Sequence, residues 1–291
     1  MIRICSTNDL PQCVEIAFAR NNEPQNNSAY CPKLRDGIHA DFAFLLDNVG
    51  SVLLGDFDGD APVGLMGCFF NPENGWVDCS GPFFVGAWDE ARAQALFAHA
   101  QNTIAGATRF NFFFDTRNAG LHELMTTLRA HRNDNEYVLS LAQADYKPQP
   151  IKHTVVAFED SYKDAVLLLK NDTWAEAYLT DSELIGSISN DRDIFCTLDE
   201  EGAFVGYGVL KRYADKQRMT AEVFAVAAHA RGRGYGWALL NAVINAAFDK
   251  YDAQSVDLVV DKLNDHARKL YFSCGFKLNV ENASYHITPS H

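Results

Sequence analysis

Nowhere in the 291 residues does Gly-Lys precede Ser or Thr, so the phosphate loop of nucleoside triphosphatases is absent. The dinucleotide fingerprint Gly-x-Gly-x-x-Gly is missing too, because Gly232 and Gly234 are followed by Gly236, one residue early. Seven cysteines (Cys5, Cys13, Cys31, Cys68, Cys79, Cys196 and Cys274) are scattered, odd in number and without metal-ligand spacing. That pattern argues against a zinc site or a disulfide framework and for reduced, mostly buried thiols. Residues Met1 to Asp9 show no basic segment leading into an apolar core, so no secretory signal is expected. No apolar run approaches the length of a membrane span. Together these absences place the expected protein in the cytoplasm. Basic residues are scarce, 25 against 38 acidic ones, and the net charge of −13 argues against a nucleic-acid partner. Such a surface would attract a cationic substrate such as an amine, although acidic surfaces more commonly serve solubility.

What is present is enough for two domains of ordinary size, with 47% hydrophobic residues and 20 Phe for sheet-rich cores. The most informative stretch is Arg231-Gly232-Arg233-Gly234-Tyr235-Gly236. It follows the apolar run Val223 to Val226 and leads into a helical pattern from Trp237 to Phe248, in which Trp237, Leu240, Ile244, Ala247 and Phe248 keep a 3.6-residue period. A strand, a glycine-rich turn and a helix start together form an anion site. Glycine admits close approach, successive N–H groups converge, and the helix dipole favours negative charge. Downstream, Val256 to Val260 reads as a buried strand, followed by Asn264, a short helix and Gly275-Phe276. Asn264 or Asp265 suits the helix cap, and Gly275 the left-handed residue past its end. Ala267, Leu270, Tyr271 and Cys274 share one face of that helix.

The spacing Arg231-x-x-Gly234-x-Gly236, followed by a strand, Asn264 and a helix carrying Leu270-Tyr271, resembles the acyl-CoA site of the GNAT superfamily of N-acetyltransferases. The motifs span roughly residues 220 to 276. The resemblance implies an α/β fold, an α+β mixed sheet, and acetyl-CoA as co-substrate with no metal. Pyrophosphate would rest on the amides of Arg231, Gly232, Arg233, Gly234, Tyr235 and Gly236. Pantetheine would lie between two splayed strands against the backbone of Phe224, Ala225 and Val226. An amine would attack the thioester directly in a ternary complex, with the Val226 amide as oxyanion donor. Tyr271 matches the tyrosine that protonates the departing thiolate, and Asn264 the asparagine beside the pantetheine arm. Glu222, on the strand before the loop, is either the base or a polar residue at an exposed strand end; His229 and His266 are weaker candidates. Arg233 either reaches the phosphates or points to solvent. Ala228 stands where the family often has Pro.

A weak internal repeat suggests that this fold occurs twice. Phe112-Phe113-Phe114-Asp115-x-x-Asn118 mirrors Leu258-Val259-Val260-Asp261-x-x-Asn264 at an offset of 146 residues. The expected tandem GNAT-like domains are residues 1–147 and 148–291, joined by the proline-bearing Tyr146 to Pro150 segment. At that offset Val85, Trp88, Glu90 and Met125 face Arg231, Gly234, Gly236 and Tyr271, so the first copy is expected to be degenerate and to lack the pyrophosphate loop. In the first half, strands are expected at Ile2 to Cys5, Phe42 to Leu46, Ser51 to Asp56 and Val63 to Phe70, and helices at Leu10 to Ala19 and Ala91 to Ile104. In the second half, helical pieces are expected at 162–170 and 173–178, with a hairpin around Asp199 to Gly202. The acceptor, expected to be a small-molecule amine or an amino-acid-like compound, would be held by loops such as 175–190 and by the first half. Two other readings stay open: a catalytically silent CoA-binding or sensor protein, and an acyltransferase with a different donor.

Overall fold

The computed structural model describes residues 1–173, 179–188, 190–213 and 217–289. The chain forms two compact units, Met1–Glu136 with Glu281–His291, and Tyr137–Val280.

In the first unit the order is β1 (Ile2–Ile4), α1 (Leu10–Asn21), α2 (Arg35–Asp47), β2 (Val52–Asp58), β3 (Ala61–Asn71), β4 (Trp76–Phe84), α3 (Glu90–Thr103), β5 (Arg109–Asp115), α4 (Ala119–Thr127) and the short β6 (His131–Arg132). Strands β1 to β4 pair antiparallel in sequence, and β4 pairs parallel with β5. Alternation along β2 and β3 separates two cores. Leu53 and Leu65 join Ile38 and Phe42 on the α1–α2 face, whereas Leu54 and Met66 join Leu96 and Phe97 on the α3–α4 face. The expected strand at Phe42 to Leu46 lies within α2 instead. Ile38, Phe42 and Leu45 are buried there at helical spacing while Phe44 is exposed, and that period overrides the local β-propensity.

The second unit repeats the order: β7 (Glu136–Ala142), β8 (Thr154–Ala157), α5 (Lys163–Thr173), α6 (Asp181–Gly186), β9 (Arg192–Leu198), β10 (Phe204–Arg212), β11 (Arg218–Val226), α7 (Tyr235–Asn245), β12 (Ser255–Asp261), α8 (Asp265–Ser273) and β13 (Lys277–Ile287). Strands β8 to β11 pair antiparallel, β11 pairs parallel with β12, and β7 lies beside β12. One face packs on α5 and α6, the other on α7 and α8. The expected hairpin around Asp199 to Gly202 is β9–β10. The helical piece expected at 173–178 falls, beyond Thr173, outside the described residues. A π turn at Ala246–Lys250 extends α7.

The Asp-x-x-Asn repeat has one geometry in both units. Asp115 accepts from the Arg117 amide at 2.9 Å, and Asp261 from Leu263 at 2.6 Å. Asn118 caps α4 through the Leu121 amide at 3.0 Å, and Asn264 caps α8 through Ala267 at 3.1 Å. Repeated side chains here do repeated backbone work, satisfying helix-start amides.

The units do not divide at 147/148. Strand β7, apart from its first residue, belongs to the second unit, while residues Glu281–Ile287 of β13 pair with β5 and complete the first. The physical cause is burial: Leu139 and Leu141 sit in the core of the second unit, and Ala283 and Tyr285 in that of the first. A fragment 148–291 therefore loses two buried leucines, on the order of 5 kcal/mol or more together, and carries a strand without its partner. Fragment 137–280 is expected to unfold cooperatively in urea and 148–291 to show no transition; equal transitions would refute the assignment of β7.

Candidate functional site

Strand β11 carries the site. Its register against β10 jumps at one point: Val209 faces Val223 but Leu210 faces Ala221, leaving Glu222 as the extra residue of a β-bulge. Bulges bend a strand and re-aim its side chains. On the other side β11 pairs with β12 only at Arg218, Met219 and Thr220. Beyond the bulge the two strands part.

The consequence for the backbone can be read from one bond. The Ala227 amide donates to the Val205 carbonyl at 2.8 Å, and residues two apart on a strand turn to the same neighbour. Val223 and Ala225 therefore turn to β10, while Phe224 and Val226 turn their amides and carbonyls toward the gap. The Val226 carbonyl is held by Arg231 Nε at 2.9 Å, so this arginine ties the loop to the strand end.

After a 3₁₀ turn at Ala228–Ala230, the loop passes through two left-handed glycines, Gly232 (φ 75°) and Gly234 (φ 93°), and α7 starts at Tyr235. The helix thus begins two residues earlier than its apolar periodicity suggests. Gly234 is the N-cap and has no side chain to offer. Among the described residues, the amides from Gly232 to Trp237 have no hydrogen-bond acceptor within the protein. They form a cluster of donors at the positive end of a helix. Arg231 and Arg233 are both exposed beside them. Tyr235 contributes its amide only, since its ring is buried against His153 with centroids 4.2 Å apart.

Helix α8 reaches the same place. A Cβ on Gly236 would lie 3.7 Å from Val226 Cγ2 and 3.8 Å from Leu270 Cδ2, which brings β11, α7 and α8 together. Phe224, Leu270 and Tyr271 pack against one core cluster. Burial, with Cys274 nearby, pushes the Tyr271 phenol up to about 12, so it stays protonated at neutral pH. Asn264 spends its side-chain oxygen on the α8 cap.

Glu222 lies on the opposite, α5–α6 face. Arg192 bonds both its oxygens, at 2.6 and 2.9 Å, and Lys211 stands at 3.8 Å. Both carboxylate oxygens are thus engaged by one guanidinium. His229 and His266 are exposed; of the loop expected to hold the acceptor, 175–178 and 189 lie outside the described residues, and Asp181–Gly186 forms α6. Sequence reasoning missed the bulge at Glu222 and the contact of His153 with the loop, because neither has a local signature.

The first unit builds the same strand end and then fills it. Val85 donates to Val63 as Ala227 does to Val205, so Val85 corresponds to Ala227 and Pro82 to Phe224. Proline has no N–H, so the first unit lacks that gap-facing donor. The connection to the helix is shorter, five residues (85–89) against eight (227–234). Its N-cap is Asp89, not Trp88, which corrects the constant offset of 146 in this region. Asp89 accepts from the Arg92 amide at 3.0 Å, so a carboxylate already occupies the helix start. Trp88 packs edge-on to Phe84 and covers Gly120, where an added Cβ would meet its ring. Where β4 and β5 part, beyond Cys79 and Phe112, the chain's own loop bridges them: Ser28 Oγ donates to the Cys79 carbonyl at 3.4 Å and the Ala29 amide to Phe113 at 2.7 Å.

Residues 155–276 match the family model described as Acetyltransferase (GNAT) family. The match lies within the second unit and covers most of it. The whole chain has a tandem GNAT fold. It is similar to a GCN5-related N-acetyltransferase from Sphaerobacter thermophilus at 14% identity and TM-score 0.79, covering 100% of this chain and 96% of that one. A tandem GNAT protein from the clavulanic acid biosynthesis pathway matches at 15% identity and TM-score 0.73, covering 100% and 99%. A GNAT-family acetyltransferase from Colwellia psychrerythraea matches at 16% and 0.60, covering 99% and 100%. Comparison with curated protein sequences gave no match. The family match over residues 155–276 supports acyl transfer from an acyl-CoA as the chemistry of that segment. Among the described residues, no cluster of His, Cys, Asp or Glu could hold a metal, and no helix is long and apolar enough to cross a membrane.

Gly234→Asp, which copies the first unit's cap, places a carboxylate on the free amides at a left-handed residue. A ligand at a hundred times its dissociation constant stabilises by about 2.7 kcal/mol. The variant is expected to lose the thermal shift that acetyl-CoA gives the wild type, and an unchanged shift would place the ligand elsewhere.

Proposed function

We propose that this GNAT chain is an acetyl-CoA-dependent N-acetyltransferase whose single donor site lies in the second unit. The observation that carries the reading is the run of unpaired backbone donors, from Phe224 and Val226 in the gap to the amides of residues 232–237. Those donors match a ligand with an amide-bearing arm and a pyrophosphate. In this reading the pantetheine arm runs along Phe224, Ala225 and Val226, and the pyrophosphate rests on Arg231 to Gly236.

An amine on the α5–α6 face attacks the thioester carbon, and the Val226 amide stabilises the oxyanion as it forms. The carbon–sulfur bond breaks, and Tyr271 gives its proton to the thiolate. The amine's proton leaves on the acceptor side. There Glu222 acts as base only when its pair with Arg192 opens; in the closed pair it belongs to the wall of the acceptor site. The acceptor is a small-molecule amine or amino-acid-like compound, in keeping with the net charge of −13. Six of seven thiols are buried, and we place the protein in the reducing cytoplasm. Residues of the first half serve as scaffold.

Titration calorimetry with acetyl-CoA is expected to give one site per chain; two equivalent sites would contradict the filled cleft of the first unit. Tyr271→Phe is expected to lower turnover, read as CoA release with an amine panel, by roughly 10²-fold with donor affinity nearly unchanged. Because the phenol is raised to about 12, its donating form persists to higher pH, and wild-type turnover is expected to show no loss from this group below pH 10. Wild-type turnover in the variant would reduce Tyr271 to packing. Acetyl-CoA binding with no CoA release from any amine would instead favour a silent sensor.

A further inference from the structure

His153 lies just ahead of β8, more than 70 residues before the glycine loop in sequence, yet its ring covers the turn that starts α7. Its Nε2 is 3.1 Å from where a Cβ on Gly234 would stand, and Cδ2 is 3.6 Å away. The ring leans on Tyr235, the first helical residue, at an interplanar angle of 41°. Among the described residues, and apart from its chain neighbours Arg233 and Tyr235, no other side chain lies within 4 Å of that Cβ position. The free amides of residues 232–237 include that of Gly234, so an anion bound on them lies beside the imidazole edge.

We propose that His153 is a phosphate-contacting residue of the donor site, its ring N–H reaching an oxygen of the coenzyme's pyrophosphate on the side of α7 away from α8. This rests on the acyl-CoA reading above. The geometry favours it in three ways. Tyr235 fixes the ring plane, so little rotamer freedom is lost on binding. The glycine beneath it carries no side chain to come between Nε2 and the loop. The helix N-terminus, together with Arg231 and Arg233 from the loop, gathers negative charge beside it. A ring N–H donates to a phosphate oxygen, and an imidazolium so bonded makes the stronger, charge-assisted contact. Tyr235 lies against the ring, and the charged or titratable residues of the segments that meet there are Arg231, Arg233 and His229 of the loop and Lys152 next in the chain.

The test compares acetyl-CoA with acetyl-pantetheine, which lacks the phosphates, by calorimetry at pH 6 and pH 8. His153→Gln is expected to weaken acetyl-CoA about tenfold at pH 6 and to leave acetyl-pantetheine unchanged. It is also expected to remove the part of the wild-type pH dependence that the loop and the ligand's own phosphates do not produce. His153→Lys, which restores a cation, is expected to recover affinity at both pH values. Equal weakening of both ligands would show that His153 only packs on Tyr235, and an unchanged acetyl-CoA affinity would overturn the proposal. Failure of the wild type to bind acetyl-CoA at all would fall on the acyl-CoA reading instead.

Discussion

The constraint on which the second unit depends is the parting of β11 from β12 in the middle of a sheet. Backbone groups inside a protein are almost always paired, because each buried orphan costs about 1–3 kcal/mol. A strand that leaves its neighbour after three paired residues therefore exposes a debt that something else must settle. Here the bulge at Glu222 bends the strand away, and the alternation of the ladder aims Phe224 and Val226 into the opening. The glycine loop continues the run of unpaired donors without a break. A ligand with amide groups along one part and phosphates along the next satisfies both stretches at once.

The two units answer the same constraint differently, and the difference is chemical at each position. In the first, Pro82 removes the donor that corresponds to Phe224, and Ser28 and Ala29 bond to the diverging strands from within. Asp89 supplies the anion that the helix start favours. In the second, Gly234 supplies nothing, and the helix start stays open. A carboxylate in one copy and an absent side chain in the other mark the same electrostatic preference, met once by the protein and, in the proposed reading, once by a ligand.

The site was legible from sequence wherever its chemistry is local. Arg231-x-x-Gly234-x-Gly236, Asn264 as a cap and Gly275 as the left-handed residue after α8 are short-range patterns with short-range causes. The tandem order was visible through Asp115 and Asn118 against Asp261 and Asn264, which do identical backbone work. What could not be read depends on partners distant in the chain. Phe42 to Leu46 has the composition of a strand but meets its core at helical spacing. The partners of β7 and β13 lie in the opposite half of the sequence, so no linker signal near Pro148 could locate the division of the units. His153 is a lone histidine until the fold brings Gly234 beneath it, and Glu222 is a strand carboxylate until Arg192 closes on it.

The exchange of final strands also explains how the first half can lose its loop and still be retained. Leu139 and Leu141 come from sequence that follows α4, yet they are buried in the core beneath α7 and α8. That core sets where β12 lies, and hence the width of the gap through which β11 presents Phe224 and Val226. Substitutions at Pro82, Trp88 or Asp89 remove chemistry from the first unit and leave this contribution untouched. A polar residue at position 139 or 141 would act on the second unit's core although it lies in the first half of the sequence. The two final strands thus tie each half of the sequence into the core built mainly by the other.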